Sequence, residues 1–177
     1  MSRQRGASRI FILGDRVMNN KNDRLIPSLA KWNNGMGIDL ESWISGVGRF
    51  DHFVGYSSIL WPNFAVHDDC VIRAGEVSDE HYRGFLRECG GDKREVEKIM
   101  NHLHVCSLFC NSEYPLDQVL ADFIAQTLIE TWTAKLGHDF PDRRFVVDIW
   151  PGARATVPVD QVVTIWQLAA RGGGGIG

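Results

Sequence analysis

Cysteine is sparse in this chain, and long apolar runs are missing from it. Its 177 residues include four cysteines, Cys70, Cys89, Cys106 and Cys110. With no leader-like segment in view they do not suggest a disulfide framework, and reduced thiols packed as small hydrophobes are the expectation. No apolar run approaches the ~20 residues a membrane-spanning helix needs. IFIL (10–13) is too short for the apolar stretch of a secretory signal, and Gly14-Asp15 interrupts it. The expected compartment is therefore the cytoplasm, with no membrane partner. Nucleophile and phosphate-loop signatures are also missing. There is no G-x-S-x-G. GGDKRE (90–95) lacks both a preceding strand and the G-K-[ST] order of a phosphate loop, and GGGGIG (172–177) has no helix after it.

What is present is an ordinary globular composition, 44% apolar and 23% charged, at a length suited to one domain with a real core. The net charge of −3 is unevenly spread. Residues 1–35 carry seven Lys/Arg against two Asp, a net +5, whereas the remaining 142 carry 12 basic and 20 acidic residues, a net −8. An acidic body repels nucleic acid, so contact with it is expected only through residues 1–35. Residues 1–37 read as a basic, partly disordered arm, residues 38–169 as a single α+β domain, and residues 170–177 as a flexible Gly-rich tail.

Along the chain, IFIL fits a short strand. Asp39 caps a helix with apolar positions Leu40, Trp43, Ile44 and Val47, closed by Gly48. Phe50, Phe53, Val54 and Ser57 fit a second short helix ended by Pro62. FAVHDDCVIRA (64–74) reads as a hairpin turning at Asp68-Asp69. Ser78 opens a helix stopped by Gly90-Gly91, and Asp92 with Glu95 opens the next, with the stripe Val96, Ile99, Met100, Leu103. Pro115 suits the first turn of the longest helix, about 115–136, closed by Gly137. Its predicted face is Leu116, Val119, Leu120, Phe123 and Thr127, with Ile129, Trp132 and Leu136 pointing elsewhere. RFVVDIW (144–150) and QVVTIWQLA (161–169) are apolar on both faces and read as interior strands. The sum is an α+β fold: antiparallel hairpins, about 64–74 and 144–169, packed against four to five helices.

The densest set of metal-ligating residue types is His102, His104, Cys106 and Cys110. In a helix each residue turns by ~100°, which sets His102 and His104 about 200° apart and unable to share an ion. A continued helix would align His102, Cys106 and Cys110, and an extended chain would align His102, His104 and Cys106 at period two. Neither spacing is that of a zinc finger. The main expectation is a structural role at a helix end and no cofactor, with zinc as the alternative. His67, Asp68 and Asp69 read as a strand end and turn that also offer a contact surface. The His-Asp pair resembles that of HD-type phosphohydrolases in letters alone, since that family sets it on a helix. Trp61 and Trp150 each precede a proline near a chain turn, where partly exposed indoles anchor interfaces.

GYSSILWPNFAVHDDCV, EVEKIMNHLHVCSLF and WTAKLGHDFPDRRFVV together resemble a family of small bacterial proteins known as hypothetical open reading frames, over residues 38–167. That resemblance implies a compact bacterial cytosolic protein and transfers no activity, cofactor or site residue. With no catalytic constellation in view, the reading leans away from an enzyme. The leading expectation is a binding or inhibitory protein, immunity-like or regulatory, that meets a protein partner through an acidic surface bearing Trp61, His67, Asp68, Asp69 and Trp150. The alternatives are a metal-dependent hydrolase using residues 102–110 with Asp68 or Asp69, and nucleic-acid contact through the basic arm.

Overall fold

The computed structural model describes residues 25–75, 78–112, 115–150 and 159–168. The expected IFIL strand, most of the basic arm and the Gly-rich tail lie outside the described residues. Five α-helices and two small antiparallel sheets make an α+β architecture among them. No described helix is long and apolar enough to cross a membrane.

The chain divides into two compact units, up to Phe50 and from Asp51 onward. In the first, a 3-10 turn over Pro27–Lys31 buries Leu29. Helix α1 (Leu40–Val47) starts where the Asp39 carboxylate accepts the Ser42 N–H at 2.9 Å. A Cβ on Gly46 would sit 3.1 Å from Trp32 Cη2, so the bare backbone there is what lets the indole lie on the helix.

Helix α2 (Phe50–Leu60) leads into strands β1 (Phe64–His67) and β2 (Cys70–Arg73), which pair antiparallel with His67 opposite Cys70. The two-residue turn needs left-handed backbone at both central positions, and Asp68 and Asp69 adopt φ of 47° and 66°. Helix α3 (Asp79–Glu88) is capped by Ser78, and Gly90 and Gly91, both at positive φ, end its run. Helix α4 (Lys93–Asn101) is capped by Asp92, whose carboxylate accepts the Arg94 and Glu95 N–H groups. A two-residue strand β3 (Leu103–His104) and a 3-10 turn (Val105–Phe109) follow. Helix α5 (Gln118–Asp139) and strands β4 (Phe145–Ile149) and β5 (Val162–Gln167) complete the second unit, in the sheet order β3-β5-β4.

Three expectations are corrected. Helix α5 begins three residues after Pro115, because the Asp117 carboxylate caps the Leu120 N–H at 2.8 Å, and it passes through Gly137, which has no positive φ. Its buried stripe is Ala121, Ala125, Leu128, Trp132 and Leu136. Val119 and Phe123, expected inside, are 63% and 40% exposed, because the small alanines mark the side that approaches the sheet. Strand β4 is an edge strand pairing only with β5, which leaves Ile149 partly exposed; β5 is the interior one, with Val162, Val163, Thr164 and Ile165 buried.

β2 is covered on both faces. Val71 joins a core with Val105, Leu128, Trp132, Val163 and Ile165, while Cys70 and Ile72 join Tyr82 and Val96. Two buried polar residues of α4 bond to these strands, and one of them, Glu97, bridges the two sheets. Glu97, 2% exposed, accepts the Val71 N–H at 2.7 Å and the Gln167 side-chain N–H at 2.6 Å on one oxygen, and the Gln167 backbone N–H at 2.7 Å on the other. One turn on, Asn101 accepts the Arg73 N–H at 2.6 Å and donates to the Val71 carbonyl at 2.9 Å. Thr164 Oγ1 donates to the Lys98 carbonyl at 2.7 Å. Glu97→Ala orphans one buried and one half-buried backbone donor and is expected to cost about 3–5 kcal/mol, against about 1–2 for Glu97→Gln, which keeps one acceptor. Urea denaturation of the full chain measures both, and equal midpoints for wild type and Glu97→Ala would refute the bridging role.

Candidate functional site

The hairpin tip holds three of the sequence-predicted residues. Asp68 lies where α4 begins: Lys93 Nζ approaches its carboxylate at 3.1 Å and donates to its carbonyl at 2.7 Å. The Tyr82 hydroxyl donates to Asp68 Oδ2 at 2.9 Å and lies 3.5 Å from Cys70 Sγ. The His67 ring meets the Tyr82 ring edge-on at 4.5 Å and places Nε2 3.4 Å from the Asp79 carboxylate. Asp69 has an outward carboxylate 3.9 Å from Lys93 Nζ and a carbonyl that accepts from Arg143 and Gln167 at 3.0 and 2.7 Å.

The electrostatics follow from these contacts. The Lys93 ammonium, and after it the Tyr82 hydroxyl, hold the Asp68 carboxyl below its usual range, and Asp68 in turn raises Lys93. Burial, then the contacts with Cys70 and Asp68, push Tyr82 far above the ordinary phenol range, and burial raises the Cys70 thiol. A carboxylate shared between an ammonium and a phenol is a weak base, and a buried protonated thiol is not a nucleophile. The tip is thus a locked turn with an acidic outer face. Beside it an open cleft of about 780 Å³ is lined by Asp69, Lys93, Arg94, Glu97, Arg143 and Gln167. Its Lys93 and Arg143 are already engaged by Asp68, Asp69 and Gln167.

The His/Cys stretch lies at the other end of α4. The helix ends at Asn101, and His102 is extended at φ −62°, ψ 142°. The 200° separation of a continued helix therefore does not apply: the His102 and His104 rings stand 5.3 Å apart at 88°. His102 Nδ1 bonds the Ile99 carbonyl. His104 Nδ1 lies 2.6 Å from Oδ2 of Asp160, whose side chain is fully buried, and Asp160 Oδ1 accepts the Cys106 N–H at 3.2 Å. Trp150, half-buried, lies 6.3 Å from the His102 ring. Exposed Cys110 directs its thiol to the Cys106 and Ser107 carbonyls at 3.6 and 3.4 Å. Asp160 had no sequence signal beyond a place in a loop 56 residues from its partner. Among the described residues no group of three or more His, Cys, Asp or Glu is arranged to hold a metal ion.

A third feature is apolar and exposed. On α2, Phe50 is 87% exposed, Phe53 73%, Val54 61% and Tyr56 44%. Trp61, just past its end, is 47% exposed, with Lys135 Nζ over its ring at 5.6 Å. The sequence marked this helix by its apolar spacing, which served equally for a buried face.

The nine-residue α4 separates the hairpin tip at its start from the two histidines at its end by about 13 Å, so Asp68 and Asp69 do not join His102 and His104 in one cleft. Comparison with protein-family models, curated proteins and solved structures finds no match to this chain.

The Asp68–Lys93 pair sets a pH window. Asp68 has a depressed folded value, so its contribution is present above the ordinary 3.8 and is lost as pH falls through the lower folded value. Lys93 is raised, so its contribution is present below 10.5 and is lost as pH rises past the folded value. Asp68→Asn is therefore expected to lower Tm near neutrality and to flatten its fall below about pH 4. A Tm–pH curve parallel to wild type would count against the lock.

Proposed function

We propose that this chain is a small cytoplasmic bacterial protein that acts by binding another protein, in the manner of an immunity or inhibitory protein, rather than by catalysis. The observation that carries this reading is the outward face of α2. Phe50, Phe53 and Val54 fall at i, i+3 and i+4 on one side of the helix and stay 87%, 73% and 61% exposed. Burying a phenylalanine is worth about 1.5–3 kcal/mol, so leaving two in water forgoes a large share of a domain's marginal stability. Contiguous exposed apolar side chains of this kind mark interaction surfaces. Trp61 adds an indole of the type that anchors interfaces.

The net −8 of residues 36–177 supplies the second element, long-range attraction toward a basic partner. Its acidic share includes Asp68 and Asp69 at the hairpin tip, the latter with an outward carboxylate 87% exposed. The hydrolase alternative needed Asp68 or Asp69 beside the histidines, and the length of α4 speaks against that pairing. The nucleic-acid alternative rests on residues 1–35, most of which lie outside the described residues.

The test compares wild type with Phe50→Ala/Phe53→Ala as immobilised bait for bacterial extract. Both side chains are mostly exposed, so the double variant is expected to keep its Tm within a few degrees. A specific protein retained by wild type, eluted by raised salt and held about tenfold less by the variant is the expected result. Equal retention by both baits, or none by wild type at low salt, would sink the reading.

A further inference from the structure

We propose that His102 and His104 form a two-imidazole chelate for a divalent transition-metal ion, with Asp160 as the residue that positions His104. A backbone carbonyl only accepts, so His102 Nδ1, bonded to the Ile99 carbonyl, carries the hydrogen. A carboxylate likewise accepts, so His104 Nδ1 carries the hydrogen in its 2.6 Å contact with Asp160. In the neutral rings both Nε2 atoms then present lone pairs. Among the described residues no hydrogen bond engages either Nε2.

Histidines that ligate metals show this pattern: the second ring nitrogen donates to a carboxylate or a backbone carbonyl, which fixes the tautomer and raises ligand basicity. The spacing also fits. Two imidazoles on one tetrahedral ion, with metal–nitrogen bonds of about 2.0–2.1 Å, set their ring centres roughly 5 Å apart. The rings here are 5.3 Å apart and nearly perpendicular, which keeps their edges clear of each other. His104 is held by a buried anchor, because Asp160 also accepts the Cys106 N–H and so fixes the chain just past His104. His102 is exposed, which gives an ion an entry path.

With two protein ligands, solvent fills the remaining positions of the ion. Imidazole donors select the borderline class, Zn²⁺, Ni²⁺ or Cu²⁺, over Mg²⁺ or Ca²⁺, which prefer oxygen. The ligand set leaves out Cys110, whose thiol turns to its own backbone carbonyls. The ligand set uses no residue of the aromatic face of α2, and the proposal does not depend on the binding reading.

The test uses the full chain without a histidine tag. Zn²⁺ titration by calorimetry is expected to give one ion per chain and no Mg²⁺ response. His102→Ala and His104→Ala are each expected to weaken binding at least tenfold, and Asp160→Asn by about 10–100-fold. Cys106→Ser/Cys110→Ser is expected to leave it unchanged. At saturating Cu²⁺ the visible band is expected to shift in Asp160→Asn, a change that reports the imidazole and that loss of stability alone would not produce. Should Asp160→Asn fail to fold, the exposed His102 variant still decides the matter. Absence of stoichiometric Zn²⁺ binding, indifference to both histidine variants, or loss of binding in the double cysteine variant would overturn the proposal and leave an aromatic edge contact only.

Discussion

One carboxylate holds two sheets together. Glu97 takes N–H donors from β2 on one oxygen and from the end of β5 on the other. Val71 pairs with Val66 of β1 and Gln167 with Phe145 of β4, so it is on the side facing α4 that neither has a ladder partner. β2 pairs with β1 on its other side, and β3 covers only Val162 and Val163 of β5. Buried unpaired N–H groups cost about 1–3 kcal/mol each, so something polar must fill the gap. A helix with an acceptor at one turn and an amide at the next does so, since Glu97 and Asn101 sit four residues apart on one face. The apolar residues of α4 could pack against many surfaces; the polar pair fits this one edge.

That constraint also places the chemistry. Once Glu97 and Asn101 fix α4 against β2, Lys93 at its first residue meets Asp68 at the hairpin tip, and His102 follows its last residue where the chain turns extended into β3. Asn101 spends its amide and carbonyl on β2 rather than on capping its own helix. His102 closes α4 instead, through its ring bond to the Ile99 carbonyl. The cap role and the ligand role use opposite nitrogens of the ring, so they do not compete.

Much of the fold was legible because its boundaries are local. Asp39, Ser78 and Asp92 each accept N–H groups of the helix they precede, and Asp68-Asp69 makes the hairpin turn. Such contacts span a few residues and leave a mark in a short window. The longest helix was legible in existence and not in orientation. Apolar residues surround much of α5, and the choice of face fell to Ala121 and Ala125, whose small size matters only once the sheet is beside them. The two-residue β3 carries no periodicity at all. The candidate site was half visible: His102 and His104 stood out by type, but their relation depended on whether the helix stopped at Asn101. That depended in turn on Asn101 bonding a strand 28 and 30 residues earlier. Asp160 and Glu97 carried no local mark, because their partners lie 56 and up to 70 residues away.

The distribution of polarity in the second unit runs against the ordinary one, and that bears on function. Two acidic side chains and a carboxamide are sealed inside at Glu97, Asp160 and Asn101, while Phe53, Val54 and Trp61 remain outside. The buried groups are explained by the fold, since each has backbone donors or an imidazole to satisfy. Phe53 and Val54 have no such account among the described contacts of the unit: α2 packs on the core through Ile59 and Leu60, its Tyr56 stacks on Phe109, and Trp61 lies under Lys135. A helix that anchors itself by its last turn needs no phenylalanines on its first two. Among the described residues of the second unit Phe53 joins no core cluster, which fits a surface shaped for contact with another molecule.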